Sequence, residues 1–440
     1  MSKVKMFRIH IYNIMRLKIL MLLMLLPIGA MAQEFDEFFC DSTLRIDYIF
    51  AGSQDEQHIF LDKTCKMPGW HGRRNHLAEL PFEGNGQIIV KDHRSQREIY
   101  RCCFSTLFQE WLSYDISKDE SRSFENVYLV PYPKDTVDIT VLLLNNRRET
   151  ICTLTHVFNP KDILTHAMGD KPSWSYETIQ QGADPSKSID IAYIAEGYTA
   201  DEMAVFLDDV RKANNALFDH EPFKSYKERF NVVAVKAESK ESGTSIPGLG
   251  IWKNTILGSH FDTFYLDRYL TTLNMKSLHD CLAGVPYEHI IILVNTDNYG
   301  GGGILNQYNL SMSHHPLFEP VVVHEFGHSF GGLGDEYAYE SEPIPMYPHD
   351  IEPWEPNLTT LTDFHGKWED KIKKGTPIPT PHSNDPKKIA TRIGLFEGAG
   401  YSLKGVYRGM QDCRMRTNQN PEFCEVCRDA LTKLIRFYTE

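Results

Sequence analysis

The sequence predicts an α+β chain: an all-β, sandwich-like domain over residues 33–160, a polar linker over 161–186, and a mixed α/β domain over 187–440. Three observations predict it. The first 160 residues carry short runs of strand character, such as Val137–Leu144, where Val137, Ile139 and Val141 alternate with Asp138 and Thr140. Beyond residue 187, continuous apolar runs alternate with an amphipathic stretch, the pattern of buried strands joined by helices. A helix-spaced motif, His324-Glu325-Phe326-Gly327-His328, then stands in an apolar setting.

The β elements come first. Gly86–Lys91 and Val137–Leu144 read as sandwich strands, and Asn145–Glu149 reads as a turn into another strand through Cys152. This domain shows no nucleotide loop or ordered acid pair. Either substrate binding or a packing role fits it. Pro172, Gly182 and Pro185 mark the linker. Ile189–Ala195, Phe230–Val235 and Glu288–Asn295 then read as buried strands. Thr199 caps a helix to about Phe218, with Met203, Phe206, Leu207 and Val210 on one face. The proline-rich stretch 338–396 (Pro343, Pro345, Pro348, Pro353, Pro356, Pro377, Pro379, Pro381) excludes long helices and reads as a surface excursion over a cleft. Its His349, His365 and His382 are expected to be solvated, as are His314 and His315.

The motif carries the chemistry. Residues i and i+4 share one face of a helix, so His324 and His328 can direct two imidazoles at one zinc ion. Glu325 then stands where a general base is needed beside the activated water. Pro320 suits a first helical turn. Gly331, Gly332 and Gly334 end the helix and fold the chain back, delivering Asp335 as the third ligand, with Glu336 as the alternative. A fourth position is thereby left for water, as a catalytic site requires. Thermolysin-like enzymes take a glutamate about 20 residues after the second histidine; Tyr347 and Pro348 stand there and do not fit. The metzincin pattern H-E-x-x-H-x-x-G-x-x-H is met at Gly331 but has Gly334 where its third histidine falls. The site therefore reads as metzincin-like with a shifted, acidic third ligand.

Val323-His324-Glu325-Phe326-Gly327-His328-Ser329-Phe330-Gly331-Gly332-Leu333-Gly334-Asp335-Glu336-Tyr337 resembles the IgA peptidase family of bacterial zinc metallopeptidases. So do Asp190–Thr199, Glu241–Thr244, Gly300–Gly303, Gly398–Tyr401 and the end from Cys413–Arg416 to Phe423–Cys427. The likeness covers roughly residues 185–440, and the opening Thr43–Tyr48 resembles the family's companion domain. The resemblance implies a zincin-type endopeptidase with one catalytic zinc ion and a protein or peptide substrate. It does not imply that IgA is cut. In such a site Tyr337, Tyr401 and Tyr407 are candidate oxyanion donors, Met415 a candidate floor beneath the zinc, Glu397 a candidate lining residue, and Gly301–Leu305 a candidate rim for an extended substrate.

Arg16 and Lys18, the apolar Ile19–Gly29 and Ala30-Met31-Ala32 read as a cleavable signal with a mature start at Gln33, so a secreted or periplasmic location is expected. No later segment is apolar enough to span a bilayer. Without the five basic residues of that segment, 41 basic face 59 acidic residues, a net charge of −18 that disfavours nucleic acid and anionic lipid. Nine cysteines (40, 65, 102, 103, 152, 281, 413, 424 and 427) follow the signal. Cys413 with Cys424-x-x-Cys427 reads as a local disulfide or buried thiols; a structural zinc there lacks an obvious fourth ligand. Two other functions share the motif: a non-catalytic binding protein with a structural zinc, and a zinc amidase acting on peptidoglycan or glycopeptides. Oligomeric state is not legible.

Overall fold

The structure, a computed structural model, describes residues 35–338 and 347–440. The signal read over 1–32, and Pro343 and Pro345 of the proline-rich stretch, lie outside the described residues.

The N-terminal region is β-rich. In one sheet β1 (Phe39–Gly52) runs antiparallel between β2 (Gln57–Pro68) and β5 (Arg122–Pro133). In the other, β3 (Gly86–Asp92) lies between β4 (Glu98–Phe104) and β6 (Val137–Leu144), with β7 (Thr150–Phe158) at the edge. A short helix α1 (Leu107–Trp111) follows β4. The two inner faces meet through aromatic side chains: Phe104 of β4 lies 4.4 Å from Tyr128 of β5 and 6.4 Å from Phe50 of β1, ring centre to ring centre. Such pairs contribute beyond their buried area.

The stretch expected as a linker is not free of structure. β8 (His166–Ala167) adds to β2, and β9 (Tyr176–Gln180) forms an antiparallel edge of the next sheet. The alternating Tyr176-Glu177-Thr178-Ile179 is a weak strand signal beside so many turn residues. Its pairing with a distant strand decides the conformation.

The C-terminal region is mixed α/β. Its six-stranded sheet has the order β13-β14-β12-β10-β11-β9. β10 (Ile189–Glu196), β11 (Phe230–Val235), β12 (His289–Val294) and β14 (Tyr308–Met312) run parallel; β13 (Gly301–Ile304) is the antiparallel edge. β10 and β12 are buried at every position, as continuous apolar strands covered on both faces must be. α2 (Met203–Asp219) buries Phe206, Val210, Ala213 and Leu217 against the sheet. Its entry is capped by Glu202, which accepts from the Thr199 N–H at 2.8 Å. After α3 (Met275–Cys281), the motif helix α4 (Phe318–Ser329) lies against β13 and β14. A small sheet of β15 (Leu358–Thr359), β17 (Ser402–Arg408) and β16 (Phe396–Ala399) follows, with α5 (Pro386–Thr391) and the last helix α6 (Glu425–Thr439). Among the described residues no helix is long and apolar enough to cross a membrane.

The two regions share one core. Trp111 packs 5.9 Å from Phe264, and buried Arg45 joins Asp47 of β1 at 2.7 Å to Asp280 of α3 at 2.6 Å. The Ser105 N–H donates to the Leu305 carbonyl at 3.1 Å, and Asn306 Nδ2 donates to the Cys103 carbonyl at 2.9 Å. The β-rich region thus fixes the loop that follows β13.

Candidate metal centre

α4 forms because Val321, Val322, Val323 and Phe326 are buried around more than half of its circumference while Pro320 occupies a first-turn position. Its end is set by Gly332, whose φ of +58 favours glycine. The Gly332 N–H donates to the His328 carbonyl at 3.1 Å and the Leu333 N–H to the Gly327 carbonyl at 3.0 Å, so the chain reverses at once. The reversal carries Asp335 back over the helix.

Three side chains converge there. His324 Nε2 lies 3.1 Å from His328 Nε2 and 3.1 Å from Asp335 Oδ1, and His328 Nε2 lies 3.3 Å from the same oxygen. These residues form a group that could hold a metal ion. Two ligand atoms each about 2.0–2.1 Å from one zinc, at a tetrahedral angle, are separated by about 3.3–3.4 Å. The donor set therefore fits without rearrangement. The imidazoles remain 13 and 17 % exposed, so one side of the group is open to solvent.

The remaining nitrogens orient the rings. His324 Nδ1 donates to the Arg414 carbonyl at 3.0 Å and His328 Nδ1 to the Leu333 carbonyl at 2.6 Å, which leaves both Nε2 atoms facing the group. The Tyr401 hydroxyl donates to the second oxygen of Asp335. Burial opposes ionisation of Asp335, but His328 and His324 outweigh it and hold the carboxyl well below its usual range. Burial alone would depress His328, yet the Asp335 carboxylate beside it raises it to about 9, favouring at Nε2 a positive charge that a bound metal ion would supply in place of the proton. Asp335 is thus an anion throughout the neutral range.

Glu325 lies on the same turn, partly open to solvent, with burial raising its carboxyl above the usual range against the pull of His324 and His328. It rests against β13: a Cβ on Gly301 would stand 3.1 Å from Glu325 Oε1. A Cβ on Gly303 would stand 2.3 Å from the Glu325 carbonyl and 2.9 Å from His328 Cβ. Of the glycines expected to admit a substrate backbone, Gly301 and Gly303 instead admit α4, and Gly300 and Gly302 admit the segment around Tyr269 and Leu270. Nor is β13 a free rim: Gly301 bridges to Tyr269, and Leu305 accepts from Ser105.

The other candidates separate. Glu336 turns away from the two imidazoles; its Oε1 lies 3.1 Å from Cys427 Sγ. Met415 is fully buried directly under Gly327, where a Cβ would meet its sulfur at 2.6 Å. Tyr337 packs edge-on to Tyr401 at 5.3 Å. Glu397 does not line the centre. It accepts from the Gly405 N–H and from Lys404, both at 3.0 Å, and Tyr407 sits beside it. His349, His365 and His382 are exposed as expected, whereas exposed His314 anchors to buried Asp209 at 2.8 Å. Every cysteine is unpaired, so of the two readings for Cys413, Cys424 and Cys427 the structure has buried thiols and not a disulfide.

Two groups near the centre were not foreseen. Asn357 exchanges hydrogen bonds with both backbone groups of Gly334, at 2.8 and 2.9 Å, and so fixes the loop that delivers Asp335. Glu110 of α1 accepts from the Tyr269 hydroxyl at 2.5 Å, bringing an acid from the β-rich region beside the segment that bridges β13. Neither carries a sequence signal, because each partner is distant along the chain.

Comparison with known families finds two matches. Residues 178–390 and 386–435 match the family described as IgA Peptidase M64, and residues 34–155 match the one described as Peptidase M64 N-terminus. Comparison with curated proteins finds no match.

Proposed function

The chain belongs to the IgA peptidase M64 family, a metallopeptidase family, and from that premise we propose that it is a secreted, zinc-dependent endopeptidase with Glu325 as its general base. Its substrates are proteins or peptides. The observation that carries the reading is the convergence of His324 Nε2, His328 Nε2 and Asp335 Oδ1 within 3.1–3.3 Å, with Glu325 on the same helical turn. A ligand set of two neutral imidazoles and one carboxylate with an open side is the donor chemistry of a catalytic zinc.

In this reading the zincin-type catalytic domain spans residues 187–440, the sandwich-like domain 33–160, and 161–186 joins them. When bound, the metal supplies Lewis-acid polarisation of the scissile carbonyl and a water activated near neutral pH. The residues supply the rest. The Arg414 and Leu333 carbonyls hold the two imidazoles in one tautomer. Tyr401 holds the outer oxygen of Asp335. Glu325 accepts the water's proton on its carboxylate and returns it to the leaving amine. Met415 supports the helix from below. The basic flank, apolar run and Ala30-Met31-Ala32 support export to the periplasm or beyond. A host glycoprotein such as IgA is one candidate substrate.

The test is a diverse peptide library incubated with the protein from Gln33 to Glu440 and read by mass spectrometry, with Glu325→Ala as the blank. Internal cuts absent from the blank are expected, and their flanking residues give the preference. Equal cutting by Glu325→Ala would remove Glu325 from the mechanism. No cutting by folded, zinc-loaded protein would remove the general-endopeptidase reading.

A further inference from the structure

Four buried side chains outside the centre meet at a second point. Cys413, Cys424, Cys427 and Glu336 bring their ligand atoms within 4.8 Å of one another. None is more than 5 % exposed. Cys413 Sγ and Cys427 Sγ are 3.7 Å apart, too far for a disulfide and close to the roughly 3.8 Å between two thiolates on one tetrahedral zinc, whose Zn–S bonds are about 2.3 Å. Glu336 Oε1 lies 3.1 Å from Cys427 Sγ and 4.0 Å from Cys424 Sγ. Its other oxygen is buried with no hydrogen-bond partner. A buried carboxylate oxygen left without a partner is costly; the cysteine sulfurs approach Oε1, which also accepts from Asn357 Nδ2 at 3.0 Å, and thiols are only weak donors.

We propose that Cys413, Cys424, Cys427 and Glu336 form a closed, structural binding site for a second transition-metal ion of the zinc class. Binding deprotonates the three thiols and releases their protons, and all four positions are filled by protein, as structural sites are. The missing fourth ligand is supplied from the residue after Asp335, far away in sequence from the cysteines. Arg408, itself buried, stands beside Glu336 and offsets part of the negative charge of this donor set.

The site is tied to the first one by two hydrogen bonds to the backbone of one turn. Cys413 begins the turn in which the next residue, Arg414, accepts through its carbonyl from His324 Nδ1, and the Met415 carbonyl accepts from the Glu336 N–H at 2.8 Å. An ion here would clamp the turn that orients His324 and the loop that presents Asp335. That consequence rests on the reading of His324, His328 and Asp335 as the catalytic centre; the binding site itself does not.

The experiment is metal analysis and zinc-edge X-ray absorption on the purified full-length protein, beside a H324A/H328A double variant and a C424S/C427S double variant. The expected result is two ions per chain in the unaltered protein, with sulfur scattering at about 2.3 Å. H324A/H328A keeps the sulfur-bound ion and loses the other; C424S/C427S loses the sulfur signal. The unaltered protein decides the matter even if C424S/C427S does not fold. Absence of sulfur scattering from zinc-loaded protein, or a Cys413 disulfide to Cys424 or Cys427 mapped by non-reducing mass spectrometry, overturns the proposal. Two ions persisting in H324A/H328A would leave this site standing and sink the catalytic assignment instead.

Discussion

Replacing Tyr401 with phenylalanine separates two roles that one tyrosine can play beside a metal. In the structure its hydroxyl donates to the outer oxygen of Asp335. A hydrogen bond to a charged group contributes about 1.5–3 kcal/mol. At about 1.4 kcal/mol per tenfold change, its loss weakens metal affinity by about 10- to 100-fold. The same range is found when partners of metal ligands are removed elsewhere. Competition with a chromophoric chelator gives the metal Kd, and peptide cleavage at saturating zinc gives kcat. The expected outcome for Tyr401→Phe is a Kd raised by about 10- to 100-fold with kcat at saturation nearly unchanged. An unchanged Kd with kcat reduced by about 100- to 1,000-fold would refute the reasoning and make Tyr401 a donor to the reacting carbonyl oxygen.

Four further outcomes follow from the same geometry. Glu325→Gln keeps both imidazoles and Asp335 in place, so metal content should be unchanged while kcat falls by about 100- to 10,000-fold; a loss of zinc by elemental analysis would contradict this. Asp335→Ala should lose the ion held without sulfur and Glu336→Ala should not, as absorption spectroscopy of each variant would read; the reverse order would exchange the two carboxylates. Gly303→Ala sets a Cβ 2.3 Å from the Glu325 carbonyl, so thermal unfolding should show a loss of about 1–3 kcal/mol together with reduced cleavage; unaltered stability would mean that β13 and α4 are not in tight contact. Burial raises the Glu110 carboxyl from 4.5 to about 7, so the folded state holds its proton where the unfolded state does not. The stability this group contributes is therefore complete below about pH 4.5 and lost as pH rises through about 7. Glu110→Gln should flatten that part of the urea-midpoint profile between pH 5 and 8, and an unchanged profile would refute it.

Much of the fold is written locally. β10, β11, β12 and α2 lie where their apolar runs and the Thr199 entry place them, because buried strands and amphipathic helices leave a periodic trace within a few residues. β9 left only a weak trace: five half-polar residues become a strand when β11 offers its edge. The glycines of β13 show the same limit. A run of glycine announces close approach without saying to what: Gly301 and Gly303 face α4, and Gly302 faces Tyr269 and Leu270.

The sequence by itself determined that two imidazoles stand one helical turn apart, with a carboxylate next to the first, because residues i and i+4 share a face at 3.6 residues per turn. It also determined that a chain reversal brings an acid back over that helix, since Gly331, Gly332 and Gly334 permit little else. Only the tertiary structure decided which of two adjacent acids turns toward the histidines. Asp335 and Glu336 differ by one residue, and their opposite directions are set by Asn357 holding Gly334 and by the Met415 carbonyl holding Glu336. It likewise decided that three cysteines face Glu336 without pairing to one another. Those choices depend on the Asn357 side chain and the Met415 carbonyl, both distant along the chain, whose hydrogen bonds exist only once the chain has closed on itself.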